Sequence, residues 1–287
     1  MNKSTCYFHL FTAPLASRLL FYGDAARKFL LGRMALICLS RNVRIYVYCL
    51  MDNHIHILLS GARAVVMECF EELRRIYSRY LVREGNSPLK ANEFTPSLRE
   101  VTDMEDFKGV VAYILRNPLV AGVSSAYSYE WSSAFLYFNP WLKYIACKSI
   151  KEYGIRNLQT ALSTRDSFPE NMTVLDGCLN PADWCDYKKV ESVFGSSRSL
   201  FYALARRDAE GEEEAKIDNI EWSRHSDMDM QLVVKSFCRE LGVDGPSGLD
   251  YPFLCQLVST LRRKYNSSKS QIARLTGADQ SVIDRYC

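Results

Sequence analysis

Two hydrophobic periods run through the first half of the chain. Ile45 to Met51 is a run of β-branched, aromatic and aliphatic residues that predicts a buried strand. Asp52 and Asn53 are turn residues, and His54 to Leu59 then reads as a second, antiparallel strand. Cys6 to Thr12 alternates loosely and predicts an opening strand. Between these strands, Ala25, Phe29, Leu30, Met34 and Ile37 recur at helical spacing, which predicts a helix from Asp24 to about Ser40. Ala64 to about Glu84 is helical again, on Val65, Met67, Phe70, Leu73, Ile76, Tyr77, Tyr80 and Leu81. Gly85 to Ser97 reads as a loop with room for a short strand. Asp103 to Asn117 is a helix on Phe107, Val110, Val111, Ile114 and Leu115. Pro118 is expected to end it, because proline disfavours helix at the residue before it. Ala121 to Phe138 reads as an irregular aromatic wrap over the core.

This order predicts an α+β fold: a split βαβ sandwich of ferredoxin-like type, with helices on one face of an antiparallel sheet. The pattern divides the chain into residues 1–140, a mixed and mostly helical connection over 141–226, and a helical region over 227–287. Tyr187 to Arg207 looks helical with a break at Gly195, and Asp208 to Glu214 is an acidic run expected to be an exposed linker or loop. Helices are expected over Asp227 to Leu241, Phe253 to Tyr265, Ser267 to Leu275 and from Gln280 onward. The last two, joined by Thr276 to Asp279, have helix-turn-helix spacing, which an ordinary helical hairpin shares. No internal repeat is visible.

Composition changes this picture little. The net charge of +3 neither requires nor excludes nucleic acid, so the distribution of charge matters more. The ten cysteines are scattered without a Cys-x-x-Cys pair, which argues against a zinc ribbon or a disulfide framework and fits a reducing cytoplasm. No signal core is seen at the start, and no apolar run is long enough for a bilayer, so no membrane partner is expected.

Candidate chemistry concentrates in a few places. His54 and His56 share a strand face, while Ile55, Ile57 and Leu59 take the other. Two imidazoles on a rigid strand make half of a metal site, although two half-exposed sheet histidines read the same way. His9 reads as a core or surface histidine. Tyr113 and Asn117 are four apart and stack on one side of a helix; Tyr80 and Glu84 repeat that spacing, and Tyr77 is a further competitor. Arg74, Arg75, Arg79 and Arg83 form one side of the second helix, interleaved with tyrosines. Such a run is a solvated face or a path for a phosphate backbone with unstacked bases.

Met51 to Leu59, with its His-hydrophobic-His pair, resembles the central strand of the single-tyrosine HUH transposases, which are insertion-sequence-200-like. Tyr113 to Val123, followed by Tyr129-Glu-Trp-Ser-Ser133, resembles a block of the REP-associated branch of that family. The resemblance spans roughly residues 6–138. Ser268 to Gly277 is similar to a helix-turn-helix appended to some members. Asp52 stands where the family usually has proline, and only Phe94 and Arg99 match the segment that usually precedes the tyrosine helix.

The resemblance implies that His54, His56 and Asn117 hold Mg²⁺ or Mn²⁺ and that Tyr113 is the nucleophile. It implies nicking and strand transfer on single-stranded, hairpin-bearing DNA through a 5′-phosphotyrosine. Arg74, Arg75, Arg79, Arg83, Arg99 and Arg116 are then candidate DNA contacts, with Lys269, Arg274 and Arg285 adding affinity from the tail. Two rivals stay open: an inert DNA-binding regulator that keeps the fold, and a metal-dependent nuclease that uses water. Monomer and homodimer are both compatible with the sequence.

Overall fold

The computed structural model describes residues 6–15, 18–121, 123–205, 227–265 and 267–286. Four strands form one antiparallel sheet: β1 (Tyr7–Thr12), β2 (Arg44–Met51), β3 (His54–Ser60) and β4 (Pro96–Val101), in the order β2-β3-β1-β4. β4 begins at the end of the Gly85 to Ser97 loop, where the sequence leaves room for a short strand, and lies mostly beyond it, running to Val101. Three helices connect or follow them: α1 (Asp24–Ser40), α2 (Arg63–Arg83) and α3 (Met104–Val120). The chain is therefore α+β with the split βαβ connection, β1 and β3 side by side at the centre.

Register fixes which residues share a face. β1 pairs with β3 through His9 opposite Leu58 and Phe11 opposite His56, and with β4 through His9 opposite Arg99. Phe8, Leu10, Ile45, Tyr48, Leu50, Ile55, Ile57 and Leu59 pack with α1 and α2 into one core. Tyr46, Val47, Cys49, Met51 and Leu58 pack with α3 into a second core on the opposite face. The expectation of helices on one face alone is thus corrected. A sheet apolar on both sides exposes two surfaces to water, and α3, with Phe107, Val110, Val111, Ile114 and Leu115 buried, covers the second.

The expected end of α3 is also corrected. Pro118 lies inside the helix, which continues to Val120. Proline there removes one i→i−4 hydrogen bond of the helix. Its carbonyl still accepts from the Val123 and Ser124 N–H groups, and its ring is buried. At the other end, the Asp103 carboxylate caps the helix by accepting from the Glu105 and Asp106 N–H groups.

Residues 123–138 wrap over the sheet as expected. Tyr129 Oη donates to the Leu50 carbonyl, 2.8 Å, and Tyr137 Oη to that of Tyr46, 2.8 Å. Residues 148–204 pack on both cores. A small sheet of β5 (Lys148–Ser149), β6 (Thr173–Leu175) and β7 (Cys178–Leu179), with the helices α4 (Ile150–Tyr153), α5 (Ile155–Leu162) and α6 (Pro181–Trp184), joins the α1 side. The helix α7 (Tyr187–Phe194) and the helical residues 197–205 (α8) join the α3 side. The expected continuation to Arg207, the acidic run Asp208 to Glu214 and Gly122 lie outside the described residues.

The C-terminal helices α9 (Asp227–Glu240), α10 (Tyr251–Tyr265), α11 (Lys269–Thr276) and α12 (Gln280–Tyr286) form a third core on Met230, Val234, Leu257, Val258, Leu261, Ile272 and Ile283. Ser268 Oγ accepts from the Gln271 N–H at the start of α11, and Gly277 closes that helix at φ +66°, a left-handed conformation that glycine adopts without strain. Every cysteine among the described residues is a free thiol. Among them, no helix is long and apolar enough to cross a membrane.

Candidate active site

The hairpin of β2 and β3 and the helix α3 meet on the second face of the sheet, and there the structure brings together five side chains. His54 and His56 come from β3, His9 from the neighbouring β1, and Tyr113 and Asn117 from α3. The His54 and His56 ring centroids are 4.9 Å apart. The Tyr113 ring stands edge-on to both His56, 5.4 Å, and His9, 5.6 Å. Tyr113 is 50% exposed, whereas His56 and His9 are buried. A phenol at an opening therefore overlies imidazoles at its floor.

The hydrogen bonds assign the ring nitrogens. Asn53 Nδ2 donates to the Leu15 carbonyl, so Asn53 Oδ1 faces His54 Nδ1 at 2.8 Å. An amide oxygen only accepts, so Nδ1 of His54 carries the proton and Nε2 keeps its lone pair. His56 Nδ1 lies 3.1 Å from His9 Nε2, which leaves Nε2 as the second nitrogen of His56. Asn117 Nδ2 donates to the Tyr113 carbonyl, 2.9 Å, which turns its amide oxygen to the histidines. An Asn117 oxygen that accepts from a ring N–H favours the protonated form of both His54 and His56, but burial outweighs it.

All three imidazoles are held neutral. Burial lowers His54 to about 4, and His56 to about 2 with the repulsion of His54 and His9 added. Burial, then the Arg99 charge, lowers His9 to about 4. Neutral imidazole is the form that ligates a metal. Two neutral imidazole nitrogens and an amide oxygen meeting with no proton among them suit a divalent cation, and nitrogen with oxygen donors suits manganese or magnesium. Among the described residues no group of three or more His, Cys, Asp or Glu side chains forms a metal cage. An ion on His54, His56 and Asn117 would therefore need water or a phosphate oxygen to complete its shell.

His9 is the residue that sequence reasoning passed over. The available signal was the topology: a split βαβ sheet places β1 beside β3, and period two then puts His9 on the His56 face.

The remaining candidates divide. Arg99, directly opposite His9 in register, lies at the edge of the cluster and makes two hydrogen bonds to the Asp106 carboxylate of α3, 2.9 and 3.0 Å. Arg116 is buried on α3. Arg74, Arg75, Arg79 and Arg83 are not brought to the cluster, because α2 packs on the opposite face. Arg74 donates to the carbonyls of Lys90, Ala91 and Glu93, and Arg83 reaches Ser163 and lies over the Tyr80 ring. Tyr77 and Tyr80 are buried on that far side too, and Tyr77 Oη donates to the Leu20 carbonyl, 2.7 Å. On the C-terminal helices, Lys269 pairs with Asp284 at 3.0 Å, Arg274 grips Asp227, and Arg285 is exposed beside Tyr286.

No curated protein matches the chain. A family model described as "Transposase IS200 like" matches residues 2–117, which run from the first strand through Asn117 and so contain all five clustered side chains. These residues belong to the IS200-like transposase family, and the chain carries a transposase-like, DNA-processing domain.

Proposed function

We propose that the protein nicks and rejoins single-stranded, hairpin-bearing DNA through a covalent bond between Tyr113 and a 5′-phosphate. The observation that carries this reading is the edge-on placement of the half-exposed Tyr113 ring 5.4 Å from His56. A phosphate lying over the histidines would have the phenol beside it, and buried competitors such as Tyr77 would not reach it.

His54, His56 and Asn117 would hold Mg²⁺ or Mn²⁺. When bound, such an ion supplies positive charge against the charge that gathers on phosphate oxygens as the bond is exchanged. The rest falls to the chain. Tyr113 Oη loses its proton to water and attacks phosphorus in line. The P–O3′ bond breaks, the departing O3′ takes a proton, and the 5′-phosphate stays on tyrosine. A later 3′-hydroxyl reverses the same exchange, so strands are joined without a nucleotide cofactor. His9 would accept the Nδ1 proton of His56 and so leave the Nε2 lone pair of that ring free to hold the ion. Arg99 contributes charge at the edge of the cluster, and Lys269 and Arg285 offer contacts for a duplex stem on the C-terminal helices.

The test is to incubate the protein with labelled single strands bearing random hairpins and Mn²⁺. A covalent adduct that Tyr113→Phe abolishes is the expected result. Binding without any adduct supports an inert regulator instead. Cleavage that survives Tyr113→Phe supports a nuclease that uses water.

A further inference from the structure

Among the described residues, Asp227 of the C-terminal helices makes a chemically specific contact with the rest of the molecule. Asp52, on the turn between β2 and β3, is buried and stands two residues before His54. One of its carboxylate oxygens receives the Arg27 guanidinium of α1, itself fully buried and stacked 5.2 Å over Phe21 and 5.4 Å over Trp131. The other accepts the backbone N–H of Asp227, the first residue of α9, at 2.9 Å. The Asp227 carboxylate, also buried, takes Arg274 of α11 in a two-pronged pair, 2.7 and 2.9 Å. Burying a carboxylate is costly unless its oxygens meet hydrogen-bonding partners. Asp52 finds one partner in its own domain and the other in the C-terminal helices.

The consequence of that chain is positional. Arg274 is held by Asp227, whose N–H meets the turn that leads into His54. Yet Tyr113 stays half exposed with the module docked, so the helices stand beside the opening and do not cap it. A module that binds DNA and is fixed at one edge of a cutting site measures distance.

We infer that Asp52 is a positioning residue: it docks the C-terminal helical module on the turn that carries His54, and the dock sets the spacing between a stem held by that module and the phosphate that is cut. The second clause rests on the function proposed above. The first does not.

The experiment uses the full chain in four forms: wild type, Asp52→Asn, which keeps an oxygen acceptor for the Asp227 N–H, Asp52→Ala, and Asp52→Ala combined with Arg27→Met, which removes the guanidinium that Asp52→Ala strands. Thermal melting first establishes that each is folded. X-ray scattering then reads the dock without DNA. Both Asp52→Ala forms are expected to raise the radius of gyration, and Asp52→Asn to stay near wild type. In parallel, strands with stems set one to ten nucleotides from the cut are mapped for cleavage position. Wild type and Asp52→Asn are expected to cut at one spacing, and the two open variants at several. Unchanged scattering in both Asp52→Ala forms overturns the dock. Opened scattering with an unchanged cutting position overturns the spacing role. If no form cuts any strand, the reading of the function fails while the scattering still decides the dock.

Discussion

His9 Nε2 lies 3.1 Å from His56 Nδ1, across the central strand pair. The contact ties the first strand of the fold to a proposed metal ligand. An imidazole that ligates through Nε2 needs its Nδ1 proton held, or the ring rotates and swaps tautomers. His9 is placed to hold it. His9→Ala is therefore expected to weaken Mn²⁺ binding about 10- to 100-fold, the usual cost of losing such a partner. His9→Gln, whose side-chain oxygen can accept the same proton, is expected to recover part of the loss. Calorimetric titration of Mn²⁺ into each variant checks this, with no DNA present. Equal affinity in wild type and His9→Ala sinks it.

The tyrosines separate stability from chemistry. Tyr77 Oη is buried and donates to the Leu20 carbonyl, so Tyr77→Phe leaves that acceptor unmet and is expected to cost about 1–2 kcal/mol. Tyr113 is half exposed, and Tyr113→Phe is expected to change stability by less than about 0.5 kcal/mol. Urea unfolding measures both. The two variants should then exchange roles in the adduct assay, where Tyr77→Phe forms the adduct and Tyr113→Phe does not.

Charge placement makes a third prediction. Arg75 and Arg79 are exposed on α2, on the side of the sheet away from the imidazoles, whereas Arg99 flanks His9 in register. Arg99→Ala is expected to weaken single-strand binding and to reduce the slope of log affinity against log salt by about one contact. Arg75→Ala with Arg79→Ala is expected to leave that slope unchanged. Fluorescence anisotropy at several salt concentrations reads both. The Arg99–Asp106 pair is surface-exposed and contributes little to folding, so the Arg99 variant remains a fair probe.

Much of this architecture was legible in the chain because local pattern and burial agree. β2, β3, α1 and α2 fall within a residue or two of the spans that periodicity gives, and the shared face of His54 and His56 follows from a two-residue repeat. What was hidden depends on partners distant in sequence. Whether α3 lies on the same face as α2 or the other is not written in its own stripe, because either face offers an apolar bed. The arginines of α2 repeat with helical period, but period alone does not say which side of the sheet the helix will cover. His9 looked like any strand histidine until β1 was placed beside β3. Pro118 reads as a stop, yet its ring is buried and its carbonyl accepts from the Val123 and Ser124 N–H groups, which holds the last turn in place.

The neutral imidazoles and the phenol set opposite limits on pH. His54 and His9 sit at about 4 and His56 at about 2, against an ordinary value of 6.5, with burial the first cause in each. The folded form therefore resists protons that the unfolded chain accepts. Stability supplied by these groups is complete above pH 6.5 and falls as pH drops from there toward 4, and toward 2 for His56. In chelator-treated protein the loss should approach roughly 1 kcal/mol per histidine per pH unit within that window. Urea midpoints at pH 8, 6 and 5 measure it, and an equal midpoint at all three contradicts it. At the alkaline side the limit is Tyr113, whose phenol burial raises above its ordinary value of 10.0. Only the phenolate attacks phosphorus, and little of it exists at pH 7. Under single-turnover conditions the adduct rate should climb by up to about tenfold per pH unit between 7 and 9. A rate that stays flat over that range means that proton loss from Tyr113 does not limit the exchange.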